Sequence, residues 1–214
     1  MIALGTNTDP YQPLEREHQI TRRVLEVLAA HNHPVAIVTK NHLVTRDIDI
    51  LAPMAERGLA KVAVSITTLD GKLARTMEPR ASSPGKRLDA IRALSRAGIP
   101  AAVMTAPLIP ALNDMEMEQI LERAAEAGAT SAGYVMLRLP LEIKDLFREW
   151  LEAHVPDKAA HVLALVRSMR GGKDYDANWG TRMTGGGPYA EMIGQRFRVA
   201  TRKLGLNSQR FPLD

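Results

Sequence analysis

Five times along this chain a short apolar run ends in small polar residues and gives way to an amphipathic stretch. The first run, Ile2-Ala3-Leu4, breaks at Gly5 into Thr6-Asn7-Thr8-Asp9-Pro10. The others predict strands over residues 35–38, 61–67, 99–105 and 131–137, with helices over 14–30, 47–57, 84–97 and 115–127 between them. Strands alternating with helices at this spacing imply βα units and a parallel sheet. Right-handed crossovers then bring every strand's carboxyl end to one side, where ligands bind in such folds. No G-x-G-x-x-G follows the first strand, and no acidic ribose-binding signal follows such a loop. The expected architecture is therefore an α/β partial parallel (β/α) barrel rather than a doubly wound sheet.

In the first helix, Leu14, Ile20, Val24, Val27 and Leu28 form the expected core stripe. Ile48, Ile50, Leu51 and Met54 do the same in the second, and Gly58 sits where a C-terminal cap belongs. The segment GKLARTMEPRASSPGKR reads as a long connection in which Ser82-Ser83-Pro84 starts the next helix. Asn113 or Asp114 is placed to cap the helix over 115–127. After Pro140 the strand rhythm stops. Helices are expected over 146–153, 158–170 and 189–204, with two glycine runs as flexible connections and a loosely held end, LNSQRFPLD. The division expected is a barrel part, residues 1–145, and a helical extension, 146–214, packed on the same domain.

With 214 residues the chain is long enough for one well-cored domain. No apolar run approaches the roughly 20 residues of a membrane span, and no signal-peptide pattern opens it, so the expectation is a cytoplasmic chain that does not engage a membrane. It contains no cysteine, which excludes disulfides, thiolate nucleophiles and thiolate metal ligands from these residues. From Ala164 onward nine Lys/Arg stand against four Asp/Glu. That basic tail suits nucleic acid, phosphate or acidic partners.

His31 and His33 form an H-x-H pair, but in a loop before a strand, on the wrong side of a barrel for a metal site. No metal set is expected. There is no G-x-S-x-G elbow and no G-K-[ST] after the glycine runs, although Arg182 beside the second run could meet a phosphate. The expected rim gathers Thr6, Asn7, Asp9, Lys40, Asn41, Ser65, Thr67, Asp70, Asn113 and Arg138. Lys40, at the end of an apolar strand, suits either a Schiff base or a substrate carboxylate. Ser65 and Thr67 share one strand face, and with Arg80 they suit a ligand carrying a carboxylate and ribose hydroxyls.

Taken in order, LGTNTDPYQPLE, IVTKN with RDIDIL, VAVSITTLD, RTMEPRASSPGKRLDAIRALSRAGIP, PLIPALND and YVMLRLP resemble the radical S-adenosylmethionine superfamily. More narrowly they resemble its DNA repair photolyase or spore photoproduct lyase-like branch, over residues 2–205. The resemblance implies a partial (β/α)6 barrel in which a 4Fe-4S cluster reductively cleaves S-adenosylmethionine to a 5′-deoxyadenosyl radical that abstracts hydrogen from a substrate. It implies that Thr6, Asn7, Thr8 and Asp9 face the methionine amino group, and Lys40 and Ser65 its carboxylate. Thr67 and Arg80 would lie toward the ribose or neighbouring loops, with Asn113 and Arg138 near the adenine.

The chain departs from that pattern in lacking the three cluster cysteines of a C-x-x-x-C-x-x-C loop and the strand before it. A site-differentiated cluster needs three protein thiolates. The expectation is a chain that starts at barrel strand two, is inert by itself, and exposes a strand edge that invites homodimerisation or strand exchange. Two other readings stay open: an aldolase-like enzyme using a Lys40 Schiff base, and a non-enzymatic module binding nucleic acid through the basic tail.

Overall fold

The computed structural model describes residues 1–208; the expected loose end falls partly outside them, at residues 209–214. The elements are β1 (Ile2–Leu4), α1 (Glu15–His18), α2 (Ile20–Ala30), β2 (Val35–Thr39), α3 (Ile48–Glu56), β3 (Ala60–Ser65), α4 (Gly71–Met77) and α5 (Pro84–Arg96). There follow β4 (Ala101–Leu108), α6 (Met117–Glu126), β5 (Ser131–Met136), α7 (Ile143–His154), α8 (Pro156–Ser168) and α9 (Gly187–Lys203). All five strands are parallel and lie in chain order, β1-β2-β3-β4-β5. The sheet does not close: β1 and β5 are its two edges.

Alternation along the strands explains the two faces. Val35, Ile37, Val62, Val64, Ala101 and Val103 are buried beneath the helices. Their neighbours Ala36, Val38, Ala63, Ala102 and Met104, with Lys61, line a half-buried hollow of about 310 Å³ on the other face. The edges differ. At β5, the Asn207 amide pairs with both Ala132 N (2.8 Å) and Ala132 O (3.1 Å), while Met136 N donates to Met183 O (2.8 Å). Asn207 thus imitates a further strand and protects that edge. Among the described residues nothing pairs with the outer edge of β1.

The first helix differs from its expectation. It breaks at Gln19, whose φ of 48° is left-handed, into α1 and α2. The Glu15 carboxylate then accepts from Thr21 N (3.0 Å) and Arg22 N (3.3 Å), satisfying the new helix start. The buried face of α2 is Thr21, Leu25 and Leu28; Leu14, Ile20, Val24 and Val27, assigned above to the core, are exposed. A second difference is α4, which forms inside the segment read as a connection and begins where Asp70 accepts from Lys72 N (2.7 Å). Asn113 gives its helix no side-chain cap.

After β5, α7 and α8 bury Leu151, Val162 and Val166 against Ile109, Leu112, Leu137 and Leu139, at and beyond the carboxyl ends of β4 and β5. Trp150 Nε1 donates to Thr76 O (3.1 Å), tying α7 to α4. Helix α9 returns to α6, where Arg196 grips Glu118 (2.7 and 2.8 Å). Among the described residues no helix is long and apolar enough to cross a membrane.

Candidate ligand cavity at the carboxyl ends of the strands

The loop after β1 is fastened to β2 at Asp9. Asp9 accepts from Tyr11 N (2.8 Å), Thr39 Oγ1 (2.7 Å) and Lys40 N (2.7 Å), clipping the loop to the end of β2. Beneath it Tyr11 is fully buried and donates to Asp47 (3.1 Å). Burial, reinforced by the Asp47 charge, raises its pKa well above the usual phenol range. Asn41 donates to Tyr11 O (2.8 Å) and accepts from Leu43 N (3.0 Å) and Ser82 Oγ (3.2 Å). These contacts shape one wall of a cavity of about 410 Å³ lined in part by Asp9, Tyr11, Lys40, Asn41, Glu78 and Arg80.

Its electrostatic centre is Glu78, which sequence reasoning missed. Lys40 Nζ pairs with one carboxylate oxygen, to which Thr67 Oγ1 also donates (2.9 Å). Arg87 Nη2 donates to the other (2.6 Å). Arg87 is itself 1% exposed, with Nε on Ser82 O (2.7 Å) and Nη1 on Ser65 O (3.0 Å). Burial alone pushes the Glu78 carboxyl up, but Lys40 and Arg87 outweigh it and hold the pKa below the ordinary carboxylate value. The available signal was compositional: from Gly71 to Arg87, Glu78 is the sole acid among five cations.

Of the residues singled out in sequence for the rim, Asp9, Lys40, Asn41 and Arg80 line this cavity, and Thr67 joins it through Glu78. Ser65 is buried beside it, its carbonyl bonded to Arg87. Thr6, Asn7 and Thr8 form an exposed loop tip. Asn113 is a brace with no exposure: it accepts from Ile109 N (2.7 Å) and donates to Thr67 O (2.8 Å) and Pro107 O (3.0 Å), joining the ends of β3 and β4. Arg138 stands elsewhere, donating to the Tyr175 hydroxyl (3.0 Å). Asn113→Ala should cost about 2–3 kcal/mol in urea denaturation, because it orphans buried backbone groups on both strands. A loss under about 0.5 kcal/mol would show that water replaces the amide.

Among the described residues no group of three or more His, Cys, Asp or Glu could hold a metal ion, and with no cysteine in the chain the residues present do not fit a thiolate-held iron–sulfur cluster.

The fold and cavity together define an open parallel β/α sheet with a polar cavity on its carboxyl rim. The Radical SAM superfamily model matches residues 1–124, and the chain belongs to that superfamily. It is 36% identical over 168 residues to the uncharacterized protein Rv2578c of Mycobacterium tuberculosis, covering 78% of this chain and 49% of that one. It is 28% identical over 156 residues to the uncharacterized protein MJ0683 of Methanocaldococcus jannaschii, covering 73% and 57%. The chain thus spans about half the length of the curated relatives it matches. Its fold is similar to that of spore photoproduct lyase: a cysteine-to-serine mutant of that enzyme superposes with a TM-score of 0.61 at 16% identity, covering 96% of this chain and 60% of the other. The family implies S-adenosylmethionine and a 4Fe-4S cluster.

Proposed function

We propose that these residues form the S-adenosylmethionine-binding wall of a radical S-adenosylmethionine protein, and that by themselves they do not run its reaction. The observation that carries this reading is the pairing of Lys40 with ionised Glu78 on one rim cavity. The amino-acid end of S-adenosylmethionine carries an ammonium and a carboxylate. An ammonium has three donors, so Lys40 can keep Glu78 and still offer N–H groups to a ligand carboxylate. The Glu78 carboxylate in the same lining favours the ligand's ammonium. In a radical S-adenosylmethionine protein a thiolate-held cluster, for which these residues supply no ligand, would supply the reducing electron, and these residues would hold and orient the polar end of S-adenosylmethionine.

The Schiff-base reading is less favoured. Carbinolamine formation at Lys40 Nζ would draw it from its ion pair, leaving Glu78 with Arg87 and the Thr67 hydroxyl. Isothermal titration of the 214-residue chain with S-adenosylmethionine tests the proposal. Saturable binding is expected, weakened at least about tenfold (~1.4 kcal/mol) in Lys40→Met and partly restored in Lys40→Arg. Binding unaffected by Lys40→Met would overturn the cavity assignment. Anaerobic reconstitution with iron and sulfide should give no thiolate-to-iron absorbance, and a stable 4Fe-4S spectrum would overturn the inert reading.

A further inference from the structure

Beyond β5 the chain builds a second polar cavity, of about 700 Å³, lined by Arg170, Lys173, Tyr175, Asp176, Thr181 and the glycines that open α9, among others. Arg170 is 3% exposed. Its Nη1 and Nη2 donate to the backbone carbonyls of Thr181 (2.8 Å) and Leu137 (3.0 Å), and its buried Nε has no partner. No carboxylate among the described residues lies within ion-pair distance of Arg170, Arg138 or Lys173. The acids nearby are committed elsewhere: Asp174 to Arg167 (2.6 Å) and Arg148 (3.4 Å), and Asp176 to Thr181 Oγ1 and Asn178 N.

A buried guanidinium served only by neutral carbonyls is costly, and burial does lower the Arg170 pKa, with the nearby Arg138 charge adding to it and Asp176 opposing it. Arg138 also carries a buried, unpartnered Nε, and it holds the hydroxyl of Tyr175 (3.0 Å), which lines the cavity. The 17-residue α9 starts at the same cavity. Its N-cap, Gly186, supplies no side-chain cap, so the positive end of the helix is left uncapped there. Like charges and a helix start gather around one opening; Asp174 is paired with Arg167 and Arg148, and Asp176 is the one carboxylate in the lining that opposes them, so an anion there offsets the remaining positive charge.

We propose that this cavity binds a phosphate group, with Arg170 and Lys173 as its charges, the Gly187 N–H at the start of α9 and the Tyr175 hydroxyl as neutral donors, and Arg138 positioning Tyr175. Donors arriving from separate elements suit a tetrahedral oxyanion better than a planar carboxylate. The phosphate belongs either to a small phosphorylated molecule or to a polynucleotide backbone. The assignment is independent of the S-adenosylmethionine cavity, since it involves none of its lining residues.

Trp179 reports on the site: it is 83% exposed, near the cavity-lining Asn178 and Thr181, with Arg182 3.8 Å over its ring. The chain's other tryptophan, Trp150, is part-buried and can be silenced as Trp150→Phe. Titration of that background with inorganic phosphate, without S-adenosylmethionine, should give saturable quenching. Lys173→Glu, an exposed change that removes no contact, should weaken it at least about tenfold. Arg170→Gln should abolish it, while Lys86→Glu, the same charge change on α5, should leave it within about twofold.

A parallel titration uses a ten-residue oligothymidylate. If it binds at least about tenfold tighter than phosphate, with affinity falling linearly on a log–log salt plot, the polynucleotide backbone is the source. Equal or weaker binding assigns the site to small phosphorylated molecules. No saturable phosphate binding, or binding unaltered in Lys173→Glu, would overturn the proposal.

Discussion

Glu78→Leu should lose about 3–5 kcal/mol of unfolding free energy, enough to abolish folding of a marginal domain. The reason is what remains. Arg87 is fixed by Ser82 and Ser65 and has almost no exposure, so without Glu78 its charge stays buried with carbonyls only. Lys40 loses its partner in the same step, and Thr67 Oγ1 keeps only the longer contact to Ala106 O (3.3 Å). Glu78→Gln separates charge from shape. It should fold, with a smaller loss at pH 7 and a shallower dependence on acid. The native Glu78 pKa lies below its ordinary value of 4.5, so the stability it contributes is complete above about pH 4.5. That contribution disappears as the pH falls through the depressed native value. Urea midpoints measured from pH 7 down to pH 3 should therefore fall less steeply for Glu78→Gln than for the parent. Parallel curves would mean that other carboxylates carry the acid transition.

The parallel sheet was legible because its signal is local: each strand is a compact apolar run closed by polar residues, and the helices between them leave no room for hairpins. The first helix shows where locality fails. Its apolar period is real, but Leu14, Ile20, Val24 and Val27 lie on the exposed side. The break at Gln19 sets the phase of α2, and Thr21, which donates to Pro10 O (2.5 Å), occupies the inner side with Leu25 and Leu28. Periodicity identifies an apolar stripe without saying whether this chain covers it. Helix α4 escaped notice because it is short and basic, although Asp70 before Gly71 was a readable cap.

The site divides in the same way. Lys40 could be found from its place at a strand end. Its meaning depends on Glu78, 38 residues later, and on Arg87, neither of which any local pattern joins to it. Asp9 and Asn113 show the converse. Both were chosen as ligand-facing polar residues, and both engage backbone groups of neighbouring strands and loops. They fix the strand ends around the cavity, and so act on its shape. Nothing local marked Arg170 either, because its burial depends on the fold of the whole segment after α8.

Gly5→Ala should be comparably severe, at about 4 kcal/mol or more. Gly5 has a φ of +94°, where an L side chain is strained, and a Cβ there would stand 1.9 Å from the Val38 carbonyl oxygen and 3.2 Å from Pro10 Cδ. The closest of these atoms is backbone, so the clash cannot be relieved by a rotamer change. It has to separate β1 from β2, which are joined over only three residue pairs, Ile2 to Val35, Ala3 to Ala36 and Leu4 to Ile37. The displacement also pulls on Asp9, four residues on, whose carboxylate holds Thr39 Oγ1 and Lys40 N. The substitution therefore reaches the rim cavity as well as the sheet edge. Hydrogen exchange distinguishes the two effects: in Gly5→Ala the Lys40 amide should lose protection together with β1, while Val62, Val64 and Val103 exchange at the rate set by global unfolding. A parent-like urea midpoint with the Lys40 amide still protected would show that the fold absorbs the added Cβ without separating β1 from β2.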